Sequence, residues 1–304
     1  MAGPFTHMLL GQSAADPTVA PSLGLVPLPL DLYGLLNAND CYLCLGLISP
    51  DLPAIADQLW GLRWSDEMHD GNLRHAVVHV FAELQKLACT DAALAWVLGY
   101  VGHIVGDVAV HPVVKLANDA RGGKVHREVE IVQDSLIFHE QTGADLTSAP
   151  YLETLKNCRL DLTTYNQVLQ AWSAGLKTAY PGFDGSCPDW YGTYLAGVHV
   201  ATTQSAAMAS GLHFLLNTYV YRHVKDIDAK DRADFYDNVV VPNPPGKRGK
   251  FKPDVFDRGV RRLIELWRQM WTCWQTKTSI GALIPDWDLN SGKDIATGKL
   301  AFWP

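Results

Sequence analysis

Tyr100-Val101-Gly102-His103-Ile104-Val105-Gly106-Asp107-Val108-Ala109-Val110-His111-Pro112 is the stretch whose reading decides the fold. Its three ligand-type side chains recur at i, i+4 and i+8 in an otherwise apolar run. On a helix turning about 100° per residue they fall within roughly 80° of one another, in a row along one face. His103 and His111 then stand about 12 Å apart at their backbones, which is too far for easy sharing of one ion. The carboxylate between them is placed to bridge two metals, each taking a different histidine. His126 and Glu130 repeat the i, i+4 spacing in Gly123-Lys124-Val125-His126-Arg127-Glu128-Val129-Glu130, so a second helix presents an imidazole and a carboxylate to the first. The competing reading, two helices carrying satisfied core polar residues, stays open here. Against it stands Asp107, since an unpaired carboxylate in an apolar interior is costly.

Outward from this row, Asp91 is expected to cap the central helix, whose segment Ala92-Ala93-Leu94-Ala95-Trp96-Val97-Leu98 is apolar on every side. Such a helix sits in the middle of a bundle, which puts the ligand row at the bottom of a cleft between helices. Upstream, residues 1–12 carry His7 as their sole ionisable side chain, and four prolines make 13–30 a loop or extended segment. Two short helices follow up to Leu47. Asp51 in the turn Ile48-Ser49-Pro50-Asp51-Leu52-Pro53 is read either as a ligand or as the N-cap of a helix from Pro53 to Trp60. His69 lies in a polar loop, 61–71. A helix from about Asn72 to Ala88 carries His75 and His79, a helix-face pair without a carboxylate at helical spacing.

Beyond Glu130 the helix continues past Asp134 and His139, both available to support the ligands. Long helices are expected over 146–180 and 188–229, joined by Gly182 to Pro188, with His199, His213 and His223 as structural or surface residues. Val239 to Asp254 reads as a basic, proline-rich loop that serves as a solvated linker or as a patch for anionic headgroups. An amphipathic helix from Arg258 to Gln275 and an irregular tail complete the chain. Strand alternation is nearly absent and no repeat is visible, so the class is all-α. The expected organisation is one catalytic domain over 1–304, with metal ligands in 1–140, helical scaffold in 146–277 and the tail in 278–304.

Of the 304 residues, 48% are hydrophobic and 19% charged, a globular balance that leaves little room for disorder. A formal charge of -7 argues against a broad phosphate-tracking surface and so against nucleic acid. The ten tryptophans suit helix packing, with exposed anchors at a lipid interface as the alternative. Of the six cysteines only Cys41 and Cys44 are closely spaced, with no second pair to complete a four-sulfur site. All six are expected reduced and mostly buried. The N-terminus lacks the basic and continuous apolar regions of a secretory signal, and no run approaches the ~20 apolar residues of a membrane span. The expectation is a cytoplasmic chain, a mature chain already freed of its signal, or one exported without an N-terminal signal.

With these residues in view the chain resembles the zinc-dependent phospholipase C superfamily. That superfamily includes bacterial phospholipases C, the N-terminal domain of glycosylphosphatidylinositol-specific phospholipase D and, more remotely, fungal single-strand nucleases. The resemblance runs from His7 through Ser49-Pro50-Asp51 and His69 to His103-x-x-x-Asp107-x-x-x-His111 and His126-x-x-x-Glu130, over roughly residues 1–140. It implies a multi-helix bundle with two or three zinc ions. Asp51, His69, His103 and Asp107 would hold one, His111, His126 and Glu130 another, and His7 with Asp107 as bridge a third. The three residues between Asp107 and His111 match the phospholipase D-like branch rather than the secreted phospholipases.

Zinc in such sites lowers the pKa of a bound water toward 7 and withdraws charge from a phosphoryl oxygen. The expected activity is hydrolysis of a phosphodiester, foremost a phospholipid at its diacylglycerol side, with Asp51 as base or orienter of the attacking water. Phospholipase D-like cleavage and single-strand nuclease activity are the alternatives from within the family. A non-catalytic metal- or lipid-binding helical protein is the alternative from another class. Transient contact with a membrane surface and a protein inhibitor are the partners expected besides the substrate.

Overall fold

The computed structural model describes residues 3–54, 57, 63–146, 151–183, 190–203 and 221–303. Its axis is α7 (Thr90–Ala120), 31 residues buried almost continuously from Ala92 to Val114. Length and composition alone would let this helix cross a membrane, yet its apolar window is 100% buried inside the protein. It is wrapped instead by α1 (Pro4–Ala14), α4 (Asp40–Ile48), α6 (Leu73–Leu84), α8 (His126–Thr142), α10 (Leu162–Ala179) and α13 (Asp257–Thr276). The fold is all-α, as the missing strand periodicity predicts; the strands among the described residues are two-residue ribbons.

The tightest of these packings is α4 on α7, and its cause is a pair of glycines. A Cβ on Gly46 would stand 2.0 Å from the Trp96 carbonyl oxygen, and one on Gly99 2.2 Å from that of Leu43. Backbone therefore meets backbone, closer than any side chain would allow. The contact fixes the last turn of α4 and the 3₁₀ turn Ser49–Asp51 that follows it. From the other side α13 buries Val260, Leu263, Ile264, Trp267, Met270 and Trp274, a stripe at helical spacing, and Trp267 Nε1 donates to the Leu98 carbonyl at 2.9 Å.

Several local expectations change. Residues 13–30 are not wholly extended: α1 runs to Ala14 and a single turn, α2 (Val19–Ser22), interrupts the proline-rich segment before α3 (Leu30–Ala38). The supposed loop over 61–71 contains α5 (Trp64–His69), so His69 stands on a helix rather than a free loop. Asp91 is exposed in the first turn of α7, and Cys89 is the residue that precedes the helix. The expected helix over 146–180 is broken into α9 (Tyr151–Asn157), a 3₁₀ turn and α10, because the Asp161 side chain accepts from the N–H groups of Thr163 and Thr164 and starts a new helix. Past Trp190–Thr203, which is α11, the described chain resumes at Tyr221 as non-helical backbone, and α12 is the short Ala229–Arg232; the 188–229 helix does not run through.

The basic loop over 239–254 is a ribbon, β1 (Val239–Val240) with β2 (Arg248–Gly249), followed by a π-helical turn at Phe251–Phe256. A second ribbon, β3 (Trp287–Asp288) with β4 (Lys293–Asp294), gives the tail a fixed shape. The five described cysteines are free thiols, with Cys44 and Cys158 buried and Cys41, Cys89 and Cys273 half-buried; Cys187 and His213 lie outside the described residues, as does most of the Pro53–Trp60 segment.

Gly46→Ala is expected to lower stability by about 1–3 kcal/mol by overpacking the α4–α7 contact. Gly34→Ala, on α3 with nothing within 4 Å of the added carbon, should be neutral or stabilising by up to about 1 kcal/mol. Urea unfolding of the two variants checks the contrast.

Candidate metal centre

Asp107 lies at the middle of α7 with 0% of its side chain exposed, and its two oxygens face different ways. Oδ2 stands 3.2 Å from His103 Nε2 and 3.3 Å from His69 Nε2. Oδ1 stands 3.2 Å from His7 Nε2 and 3.3 Å from His111 Nε2. The i, i+4, i+8 row thus puts one histidine on each side of a shared carboxylate, as its helical spacing predicts.

The Oδ2 side is the more complete. His69 Nε2 lies 3.3 Å from His103 Nε2 and 3.5 Å from Asp51 Oδ1, and His103 Nε2 lies 3.9 Å from Asp51 Oδ1. Together with the two separations from Asp107 Oδ2, five edges are defined among four ligand atoms. Ligands at about 2.0–2.1 Å from a tetrahedral zinc are separated by about 3.3–3.4 Å, so four of these edges are close to the length such an ion would impose, and the Asp51–His103 edge, at 3.9 Å, is longer. Asp51 is 4% exposed and lies in this group; the helix of its cap reading falls mostly outside the described residues.

On the other side His126 Nε2 stands 2.8 Å from Glu130 Oε1, and His111, His126 and Glu130 bring one ligand atom each within 4.8 Å of one another. His7, His103 and Asp107 form a third such group, overlapping the first. His126, 38% exposed, is the open edge of a cluster whose other members are buried. Both ring nitrogens of His7, Asp51 Oδ1 and His111 Nε2 are buried without hydrogen-bond partners. Unpartnered ring nitrogens gathered beside carboxylates fit a cation.

Local structure aims these side chains. Gly106 makes room for the His7 ring, since a Cβ there would stand 2.6 Å from His7 Nδ1, and that ring stacks on His103 at 3.9 Å. The helix carrying His7 is anchored by Asp134 of α8, which accepts from Phe5 N (3.3 Å), Thr6 N (2.8 Å), Thr6 Oγ1 (2.6 Å) and the Tyr221 hydroxyl (2.9 Å). A carboxylate at a helix N-terminus meets unpaired N–H groups and the positive end of the dipole. Asp134 thus supports the cluster as its spacing suggests. His139 does not: it is exposed and pairs with Asp145, as does His223. His75 and His79 pack ring against ring on α6, 4.3 Å apart, away from the ligand groups.

Three imidazoles are oriented by backbone carbonyls that residue types do not reveal. His103 Nδ1 bonds Leu47 O at 2.9 Å, His69 Nδ1 bonds Ser65 O at 2.6 Å, and His111 Nδ1 bonds Leu289 O. Each bond puts the proton on Nδ1 and leaves Nε2 as the free ligand atom. Asp57 Oδ2 in turn accepts from Ser65 N at 2.6 Å, and Leu289 N donates to His69 O at 3.2 Å, so one tail residue ties the His69 and His111 sides together. The tail docks where Pro112 interrupts the bonding of α7, with Trp303 Nε1 donating to the Ala109 carbonyl at 3.1 Å. Trp287, which packs edge-on against Phe302, and Trp303 are the signal for this docking that the sequence carries.

The sequence profile of the family described as zinc dependent phospholipase C matches residues 6–199. The chain belongs to that family. No curated protein and no solved structure matches it. As a zinc dependent phospholipase C family member it carries all eight ligand-type residues within the matched region, whereas the Leu289 carbonyl lies beyond it.

The charges agree with a cation site. Burial alone would raise Asp107, but His111, His103 and His7 more than offset it and hold the carboxyl well below its usual range. Burial lowers His111 to about 3 and also lowers His7, so both rings are neutral and ready to ligate. Burial likewise opposes the charged form of His103, yet Asp107 and Asp51 outweigh it and raise this imidazole above 6.5. In the metal-free fold the His103 proton therefore contributes stability that is fully present below pH 6.5 and lost as pH rises through the raised value. Ligation needs the neutral ring, so zinc affinity should climb with pH across that range and level off above it. Calorimetric zinc titrations in buffers of different ionisation enthalpy should show about one proton released per His103 site near pH 6.5, falling toward zero at higher pH.

Proposed function

We propose that the protein is a zinc-dependent phosphodiester hydrolase that acts on phospholipids by attack of water on phosphorus. The single observation that supports this most is the set of five separations of 3.2–3.9 Å among Asp51, His69, His103 and Asp107, at one oxygen of a carboxylate whose other oxygen meets His7 and His111. Asp51, His69, His103 and Asp107 would hold one zinc, His111, His126 and Glu130 a second, and His7 with Asp107 a third. Zinc so held supplies Lewis acidity, making water a nucleophile near neutral pH and drawing charge from a phosphoryl oxygen.

The remaining work falls to the chain itself. The Leu47, Ser65 and Leu289 carbonyls keep His103, His69 and His111 in one tautomer, so their Nε2 atoms need no reorganisation when substrate arrives. Asp51, at the edge of the first group, is placed to orient the attacking water or accept its proton. The dry surroundings strengthen each of these charges. The half-exposed His126 marks the side from which a phosphate ester enters. A closed structural zinc site would be single and would not spread eight ligand-type residues over three groups, two of which share His103, which favours catalysis over a purely structural metal.

His103→Ala and Asp107→Asn should each abolish hydrolysis of a defined phospholipid and reduce bound zinc, by metal analysis of the purified protein. Full turnover with full zinc in either variant would remove the site. Diacylglycerol as the product supports phospholipase C cleavage; phosphatidic acid assigns the D-type reaction, and nucleotides released from single-stranded DNA assign a nuclease.

A further inference from the structure

Between the two β-ribbons and the C-terminal part of α7 lies a groove that the metal centre does not use. It has a volume of about 280 Å³, is open to solvent, and is lined by Leu116 of α7, Val241 and Pro242 after β1, and Leu300 of the tail, together with the exposed Lys115 and Lys293. Most of the surface that faces it is apolar. Pro112, which follows His111, also lines it, so the groove adjoins the end of the ligand row. Pockets that enclose a whole small molecule measure about 300–1,000 Å³, so this one has room for a single chain of a larger molecule.

The charges beside this groove are arranged unlike those on the helices. Lys86, Lys156 and Lys230 each pair with an acid three or four residues away, as Lys115 does with Asp119 at the groove itself. Lys293 of the lining, Lys247 next to the lining Gly246, and Lys299 next to the lining Leu300 are all exposed, and none has an ion-pair partner among the described residues. The neighbouring acids are half-buried and held in turns: Asp288 accepts from Asn290 N and Ser291 Oγ, and Asp294 accepts from Thr297 N. Three free ammonium groups thus stand at an apolar opening on a chain whose formal charge is -7. A second cavity, of about 550 Å³, shows the contrast, since Asp16 and Asp40 line it and no lysine or arginine does.

Hydration alone accounts for free lysines, and an apolar groove alone names no ligand. Together they select an amphiphile with an apolar chain and an anionic head. A polyanion without an apolar part would leave the groove empty. Lysine fits such a boundary, because its stem lies on apolar surface while its ammonium stays in water.

We propose that this groove docks the protein on an anionic bilayer: one acyl chain of an anionic phospholipid enters it, and Lys247, Lys293 and Lys299 meet the phosphates around it. The proposal takes the choice of a lipid from the hydrolase reading above and deepens that reading. An anionic surface repels the acidic remainder of the chain and attracts this face, which turns the side next to His111 toward the membrane.

Flotation of the zinc-loaded protein with vesicles tests this. The wild type should float with equal parts phosphatidylcholine and phosphatidylglycerol, far less with phosphatidylcholine alone, and binding should weaken as salt rises. A lysine near such a surface contributes about fivefold in affinity, so Lys247→Gln combined with Lys293→Gln should bind about 25-fold more weakly. Leu116→Glu sets a carboxylate in the groove and should weaken binding about tenfold or more. Lys86→Gln combined with Lys156→Gln, on lysines already paired with acids, should bind as the wild type does. Equal binding of the wild type to both vesicle types overturns the docking site, and so does a Lys247/Lys293 double variant or a Leu116→Glu variant that floats like the wild type. A dimer in sedimentation equilibrium that Leu116→Glu dissolves assigns the groove to a second copy and overturns it as well. Should Leu116→Glu melt early, it is compared below its transition, and the two lysine changes, both on exposed residues, decide the charge independently. A wild type that floats with anionic vesicles but releases no headgroup overturns the hydrolase reading and keeps the groove. Equal hydrolysis of both vesicle types, unchanged in the double variant, keeps the hydrolase reading and removes the groove.

Discussion

A fully buried carboxylate in the middle of an apolar helix is the constraint from which the rest of this structure follows. Asp107 has no access to water, and what makes its charge tolerable is the ring of imidazoles from α1, α5 and α7 itself. Bringing those elements to one point requires α7 to be enclosed on all sides. That in turn requires the close α4–α7 crossing at Gly46 and Gly99, and the space left beside Gly106 for His7. The apolar character of α7, which resembles that of a membrane span, is the counterpart of this enclosure: every face meets protein.

Orientation comes from the main chain. Carbonyls of Leu47, Ser65 and Leu289 belong to three distant parts of the sequence, and each turns one ring so that its Nε2 looks inward. Carbonyls suit this task because a helix end or an irregular segment always has some to spare. Asp134 does the equivalent for α1, and holds His7 in place by gripping the backbone one residue before it. Membership of the zinc dependent phospholipase C family and the geometry of Asp51, His69, His103 and Asp107 therefore meet in one picture, reached from different observations.

The ligand row at His103, Asp107 and His111 was legible in the sequence because helical period and side-chain chemistry coincide there, and His126 with Glu130 for the same reason. The all-α class was legible because so little of the chain alternates. What could not be read were the groups whose role depends on backbone or on packing across the chain. The Leu47, Ser65 and Leu289 carbonyls carry no residue signature. The helix over Trp64–His69 hides in a polar, acidic segment where tertiary seating overrides weak propensity. The helix break at Asp161 turns on a single capping side chain. His139 shows the opposite error: nine residues past Glu130 it stands about half a turn round the helix from it and faces solvent.

The contact between Leu289 and His111 spans 178 positions of sequence, while His7 reaches Asp107 from the opposite end of the chain. A ribosome extending this polypeptide has made every ligand-type residue well before it makes the carbonyl that turns His111 inward. The nascent chain can bury α7 and gather its imidazoles, yet one ring lacks its partner until the closing ribbon settles against Pro112. The orientation of His111 thereby waits for a slow, long-range closure.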